Sequence, residues 1–422
     1  MYKIKKVTLF LVVLLTSSKA FSTIYDNRYF PFFKRPYMKK ECMESRFGTS
    51  FFVFTADHAM GVHDEEVAIP RIYGDYDMSE IGKGLVLQRK PNPIRDEFQN
   101  TPLPWIIDQK FNAEGMSLIW DQFLGKYFYM GASCMFMKLH SSFAFIFDKQ
   151  KSGFKLSDPE LSDVYDSLCK VHNAIGIKGN SYNHTGFGDI DLYLRIGNIW
   201  DYLCKMKYVD AGFSLGFLAP TGKPFCLDLP SSIPFGGNDH FGMYGQLDIE
   251  LGLRDDLRLL LLFRMSKRKS KTCNRRVPVA KEHPLFGSLI TPVKVDPGMT
   301  IAFAPQLWWE GLRKGFGLRV GYTLVYHSED RWSLSCPVFA KAGADAQEVQ
   351  EPLNIKLSDI CRNSGWATDY VNLSAYYDFY DDTKEQRVAP IVSLTWDWPS
   401  LLFVGRRVPK THRISLGIDI VY

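Results

Sequence analysis

The sequence predicts an all-β fold: an up-and-down antiparallel transmembrane β-barrel of about 12 strands, with short periplasmic turns, long outer loops and one short loop helix. Three observations lead there. Apolar and polar residues alternate at period two over stretches of roughly 10 to 15 residues, longer than the ~5–6 usual for soluble strands. The gaps between these stretches are alternately short and long, as hairpin turns and surface loops would be. Tryptophans and tyrosines fall near stretch ends, where an interfacial girdle belongs: Trp200, Trp308, Trp309, Trp366, Trp396, Trp398 and Tyr422.

In chain order, Lys3, Lys5 and Lys6 precede an apolar run from Val7 to Leu15 and then small, polar residues, so 1–22 reads as a secretory signal peptide cut after Ala20 or Ser22. Nine or ten apolar residues are too few to span a bilayer, which needs about 20. Residues 23–46 are expected to be a periplasmic N-terminal segment and 47–422 the barrel. Strands are expected at 47–56, 111–121, 126–139, 186–200, 206–218, 240–253, 257–266, 298–310, 315–328, 366–380, 387–398 and 411–422. The short gaps are 122–125, 201–205, 254–256, 311–314 and 381–386; the long ones are 57–110, 140–185, 219–239, 267–297, 329–365 and 399–410. Twelve strands place both termini on one side. A soluble β-sandwich would share the period. Strand length, gap alternation and the aromatic positions favour the barrel.

The alternation also sorts each strand into an oily and a wet face. Ile190, Leu192, Leu194 and Ile196 oppose Asp189, Asp191, Tyr193 and Arg195; Leu247, Ile249 and Leu251 oppose Asp248 and Glu250. The wet faces give a candidate pore lining of Asp189, Asp191, Arg195, Asp210, Asp248, Glu250, Arg258, Arg264, Arg319, Asp378, Arg387, Asp397 and Asp419. Both signs occur, so these groups either frame a selective polar channel or pair across the interior as a structural network.

One long loop carries "SDPELSDVYDSLCKVHNAIG", which starts at a helix-capping Ser157 and spaces Leu161, Val164, Leu168 and Val171 along one face. Such a helix lies over the mouth or plugs the lumen. "KRKSKTCNRR" at 267–276 is a basic outer loop, either simply solvated or binding lipopolysaccharide through Lys267, Arg268 and Lys269. Eight cysteines match no zinc or haem spacing. Cys226 and Cys273 fall in neighbouring outer loops and Cys336 and Cys361 in one, placed to bridge; Cys169 and Cys204 fall on opposite sides. Net charge is +5, too nearly balanced to indicate nucleic-acid binding.

The chain ends "HRISLGIDIVY", with Ile414, Leu416, Ile418, Ile420 and Tyr422 on one face. An aromatic last residue after alternating apolar positions resembles the C-terminal signal by which the barrel-assembly machinery recognises Gram-negative outer-membrane barrels. "GFGDIDLYLRIGNIW" followed by "AGFSLGFLAPTGKPF" resembles the transporter barrels of the phenol meta-degradation type and, more distantly, the long-chain fatty-acid transporters. The Asn-Pro-Ala hatch signature of the latter is missing; "PNPIRD" at 91–96 is not it. The resemblance implies an outer-membrane location and lipid contact.

Together these features predict a porin or small-solute transporter working by passive diffusion through a polar lumen, non-enzymatic, with no cofactor or metal and a mild preference for a monomer. Two alternatives belong to other classes. His140 and Ser142 stand two apart on one strand face, the spacing of a base and a nucleophile in an outer-membrane lipid hydrolase; Phe143 and Ala144 follow where that family has Asn and Gly. The other is a barrel whose loops serve adhesion or surface interaction.

Overall fold

The computed structural model describes residues 27–30, 45–99, 101–125, 127–153, 157–202, 206–339, 353, 355, 357–379 and 389–422. The signal peptide, residues 31–44, Cys204 and Arg387 lie outside the described residues. Twelve antiparallel strands close on themselves: β1 Arg46–Ala56, β2 Pro104–Gly125, β3 Phe128–Phe147, β4 Ile190–Asp201, β5 Tyr208–Ala219, β6 Gly242–Gly252, β7 Leu257–Arg268, β8 Met299–Arg313, β9 Phe316–His327, β10 Trp366–Asp378, β11 Ala389–Pro399 and β12 His412–Val421. Each pairs with its sequence neighbours, and β12 returns to β1 with Val421 opposite Arg46 and Leu416 opposite Phe51. Closure leaves no edge strand in hydrocarbon, where unpaired backbone groups cost several kcal/mol each. This cylinder, and not two stacked sheets, is what the alternation encodes.

Side chains divide as the period demands. On β12 the residues Ile414, Leu416, Ile418 and Ile420 point out, while Ser415, Gly417 and Asp419 point in. Mid-strand outward positions elsewhere are likewise uncharged and mostly large and apolar, among them Leu194, Leu215, Leu247, Phe263, Val320 and Leu394. An 11-residue strand such as β1 is about 36 Å long at ~3.3 Å per residue and about 28 Å tall when tilted ~40°, close to the ~25 Å apolar band of an outer membrane. Trp120, Phe128, Trp200, Trp309, Tyr377 and Tyr422 ring the turn end; Phe217, Tyr326, Trp396 and Trp398 face outward at the loop end. The wall is that of an outer-membrane barrel, with the long loops on the external side. Two of the expected girdle residues do not belong to it. Trp308 and Trp366 have inward parity and are buried, Trp308 beneath Arg258 and Arg319 and Trp366 stacked on His327.

The short gap between β2 and β3 and the longer intervals 148–189 and 269–298 follow the expected alternation of short and long connections. The largest departure is the β2–β3 hairpin, 22 and 20 residues against the 11 and 14 expected. Its outer half leaves the membrane, so its outward face turns polar at Glu114, Lys138 and His140, and the lipid-facing pattern stops there. The protruding half carries a cap. Helix α1, Met78–Leu87, and helix α2, Asp158–Ala174, pack Ile81, Leu85, Val164, Leu168 and Val171 against Trp105, Phe143, Phe147 and Phe286. Glu160 accepts from the Ser157 N–H at 2.7 Å and closes the first turn of α2. The helix therefore covers the mouth.

Two further features were not read from the sequence. Lys271–Val277, Leu289–Asp296 and Arg331–Leu334 form a separate three-stranded sheet in the cap. Residues Asn27–Phe30 lie at the loop end, not in a periplasmic segment: Phe30 packs on the inward Phe54 with ring centroids 5.0 Å apart, and Asn27 donates to the Pro234 carbonyl at 2.6 Å. Ser45 bonds reciprocally with Tyr422 at the opposite end.

Candidate functional site: the lumen and its cap

The lumen has two unlike walls. Strands β4 to β7 build one of them from charges. Nearest the turns, Arg258 meets Glu250 at 3.1 Å and also Glu310, while Tyr208 donates to Glu250 at 2.6 Å. Next, Arg195 lies between Asp210 at 2.9 Å and Asp248 at 2.6 Å. Arg264 reaches Asp191 at 3.3 Å and covers the Tyr244 ring, whose hydroxyl donates to the same aspartate at 2.7 Å. Arg268 pairs with Asp189 at 2.8 Å, and Asp189 also accepts the Gly222 and Gly237 N–H groups. Each member of this ladder is at least nine-tenths buried apart from Glu310. In low dielectric such charges hold only when paired and hydrogen-bonded, as these are.

Glycine makes room for the ladder. A Cβ on Gly212 would stand 2.2 Å from the Arg195 guanidinium carbon, and one on Gly216 would stand 2.1 Å from the Tyr244 ring. Gly212 is opposite Asp248 and Gly216 opposite Tyr244 in the β5–β6 register, so each bulky group lies across a neighbouring backbone.

The other wall, from β8 round to β2, sets small hydroxyls and amides among apolar side chains such as Phe52, Ile119 and Ile391. Ser117, Gln306, Asn372, Ser374, Ser393 and Thr395 border a cavity of about 150 Å3 inside the barrel. Ion pairs stand at its margins: Arg46 with Asp419 at 2.5 Å, and Arg413 with Asp397. Arg319 lies over Trp308 and Tyr376, 3.9 and 4.3 Å from the ring centroids. This cavity supplies the space in the lumen; the ladder fills the opposite side.

Twelve of the thirteen expected lining residues are described. Asp189, Asp191, Arg195, Asp210, Asp248, Glu250, Arg258 and Arg264 fall in the ladder; Arg319, Asp397 and Asp419 border the cavity; Asp378 has inward parity next to the turn end of β10. Arg46, Asp121, Arg268, Glu310 and Arg413 complete the network and were missed. Arg413 carried the same signal, inward parity on a recognised strand, whereas Arg268 lies two residues past the expected end of its strand at 266. Tyr193 donates to Asp121, which the interrupted alternation at the end of β2 concealed.

The cap overturns part of the reading of 267–276. Arg268 turns into the barrel, so it is not a lipopolysaccharide contact, while Lys267 faces outward and meets Asp296 at 3.0 Å. Arg276 is buried and donates to the carbonyls of Ile175, Gly176, Leu227 and Gly287, tying three loops together. The segment is a strand of the cap sheet, not a solvated loop. Burial lowers the His172 and His283 imidazoles to about 4 and raises the Glu282 carboxyl to about 7. His283 accepts from the Leu285 N–H at Nδ1 and lies 3.0 Å from the Pro70 carbonyl at Nε2, a neutral imidazole with its proton on Nε2.

His140 and Ser142 share the outward face of β3, but among the described residues no hydrogen bond joins them, and neither borders a described cavity. Cys226, Cys273, Cys336 and Cys361 are free thiols, so neither expected bridge is formed.

No protein-family model matches the chain, and no curated protein matches it. Solved structures of similar architecture include the COG4313 outer membrane channel from Pseudomonas putida F1, 10% identical over 90% of this chain and 96% of that one with a TM-score of 0.45. The translocator domain of the autotransporter NalP from Neisseria meningitidis is 9% identical over 91% and 89%, with a TM-score of 0.32. A Pseudomonas aeruginosa FadL homologue is 9% identical over 90% of each chain, with a TM-score of 0.29. That this chain is a closed twelve-strand β-barrel rests on its own strand pairing.

Proposed function

We propose that the protein is a narrow outer-membrane channel for small polar solutes, working by passive diffusion. One observation carries this reading: a hydroxyl- and amide-lined cavity of about 150 Å3 runs along one wall of a lumen whose other wall is closed by paired charges. A barrel needing only structural filling has no use for a wall of serines and threonines, which leaves water a surface to wet. Around that cavity Arg46, Arg319 and Arg413 face Asp397 and Asp419, and Asp121 stands 3.9 Å from Arg46, three charges of each sign.

The test is conductance in planar bilayers. Wild-type protein is expected to give small, discrete steps, and Ser393→Trp, which fills the cavity from β11, to lower them at least fivefold. Folded protein that gives no steps, or steps unaffected by Ser393→Trp, would remove the proposal.

A further inference from the structure

Above the lumen the cap encloses a second cavity of about 230 Å3. Four arginines line it: Arg28, Arg268, Arg275 and Arg276. Three of them have protein acceptors. Arg28 donates to the Ser364 carbonyl at 2.6 Å and lies over the Tyr73 ring; Arg268 pairs with Asp189; Arg276 donates to four loop carbonyls.

Arg275 differs. It is 8% exposed, lines the cavity, and has no hydrogen bond or ion pair among the described residues. It is not a loop residue free to swing into water, because it sits in the cap sheet opposite Thr291. A guanidinium so nearly buried with no protein acceptor keeps unmet donors facing the cavity, which is costly. An oxyanion entering the cavity would relieve that cost.

The charge balance points the same way. Asp189 answers Arg268, and Asp330, which also lines the cavity, accepts from the Gly298 N–H and lies 3.1 Å from His327. The carbonyls around Arg28 and Arg276 are dipoles and cancel no charge. With Asp228 acting on Arg276 as well, four arginines less three aspartates leave one positive charge beside the cavity, that of Arg275. Much of the remaining wall is aromatic, including Tyr29, Phe225, Trp332 and Trp366. The volume equals the share of roughly seven or eight waters in the liquid, room for a molecule of about benzoate size.

We propose that this cavity binds a small organic anion, its carboxylate on Arg275 and its apolar body against the aromatic wall. The site goes beyond the channel reading and does not depend on it, since binding here stands whether or not the barrel conducts. The full chain, folded in uncharged detergent, would be titrated calorimetrically and by tryptophan fluorescence with benzoate, benzyl alcohol and benzylamine. Benzoate is expected to bind saturably, at least tenfold more tightly than benzyl alcohol, with benzylamine weakest. Arg275→Gln is expected to weaken benzoate at least tenfold, and Arg275→Lys to recover part of that loss. The heat-dependent gel mobility of a closed barrel checks that each variant folds, and the benzoate-to-alcohol ratio of the wild type needs no variant. Absence of saturable benzoate binding, equal affinity for acid and alcohol, or wild-type benzoate affinity in a folded Arg275→Gln protein would each overturn the proposal. Conductance measured without benzoate reports separately on the channel.

Discussion

Arg195 lies between Asp210 and Asp248 in space that Gly197 and Gly212 leave open on either side. Removing it would strand two buried carboxylates, so Arg195→Ala is expected to cost about 3–5 kcal/mol in denaturant unfolding from lipid. The triple change Arg195→Met, Asp210→Asn, Asp248→Asn should recover most of that loss, because it removes charge and partner together. In the cap the decisive groups are neutral histidines. His172 and His283, lowered to about 4, stay neutral when folded but take up protons when unfolded below their usual ~6.5. The unfolded state then binds more protons between about 6.5 and 4, so their contribution is fully present above that window and lost as pH falls through it. Glu282, raised to about 7, acts oppositely and weakens the cap as pH rises from ~4.5 toward 7. With two groups against one, the amide protection factors across α2 and the cap sheet, each referred to the intrinsic exchange rate at that pH, are expected to fall from pH 6.5 to pH 4. Glu282→Gln should remove the loss on the alkaline side. None of this was legible beforehand, since the sequence reading gave these histidines and Glu282 no role and their titration depends on burial by distant loops.

Loop 400–404 shows how one carboxylate holds a whole element. Asp369 occupies an outward position on β10, yet it is buried, because the loop folds over the wall and supplies the Ser400 hydroxyl and the N–H groups of Leu402, Phe403 and Val404. Tyr322 adds its hydroxyl at 2.5 Å. With those donors in place, Leu402 and Phe403 stand out from the surface, 65% and 80% exposed, where they can enter the lipid interface. Asp369→Ala is expected to release this loop while sparing the barrel: a proteolytic cut should appear within 400–410, with gel mobility unchanged. Element type was readable wherever one period ran unbroken, as in β6, β7 and β12, and α2 announced itself through Ser157 and its apolar spacing. The cap sheet was not readable: Lys271–Val277 carries three basic residues, and its burial comes from neighbouring loops instead of its own alternation. The β2–β3 hairpin was cut short for a related reason. Its outer half exchanges lipid for water on one face, which erases the contrast that marks a membrane strand.

At the scale of the molecule, stability rests on a continuous oily wall. Leu416 lies midway along β12 and faces outward between Phe51 of β1 and Leu394 of β11. Leu416→Arg is therefore expected to cost about 2–4 kcal/mol of folding free energy in lipid vesicles, whereas a charge at the inward Gly417 would act by crowding the lumen instead. Twelve strands, closure and the two faces were all legible, because each rests on period two and on gap length. The division of the lumen into a charged half and a hydroxyl half was not, since parity tells which residues point inward but not which of them meet.

The bonds of Asn27–Phe30 bear on the order in which the molecule can be built. Arg28 is tied to Ser364 and the Tyr29 carbonyl to the Thr411 hydroxyl, partners 336 and 382 positions downstream. No ribosome or translocation pore can deliver those partners early. The first residues of the described chain must wait for the last strand, and they take their seat only as the seam between β12 and β1 is sewn.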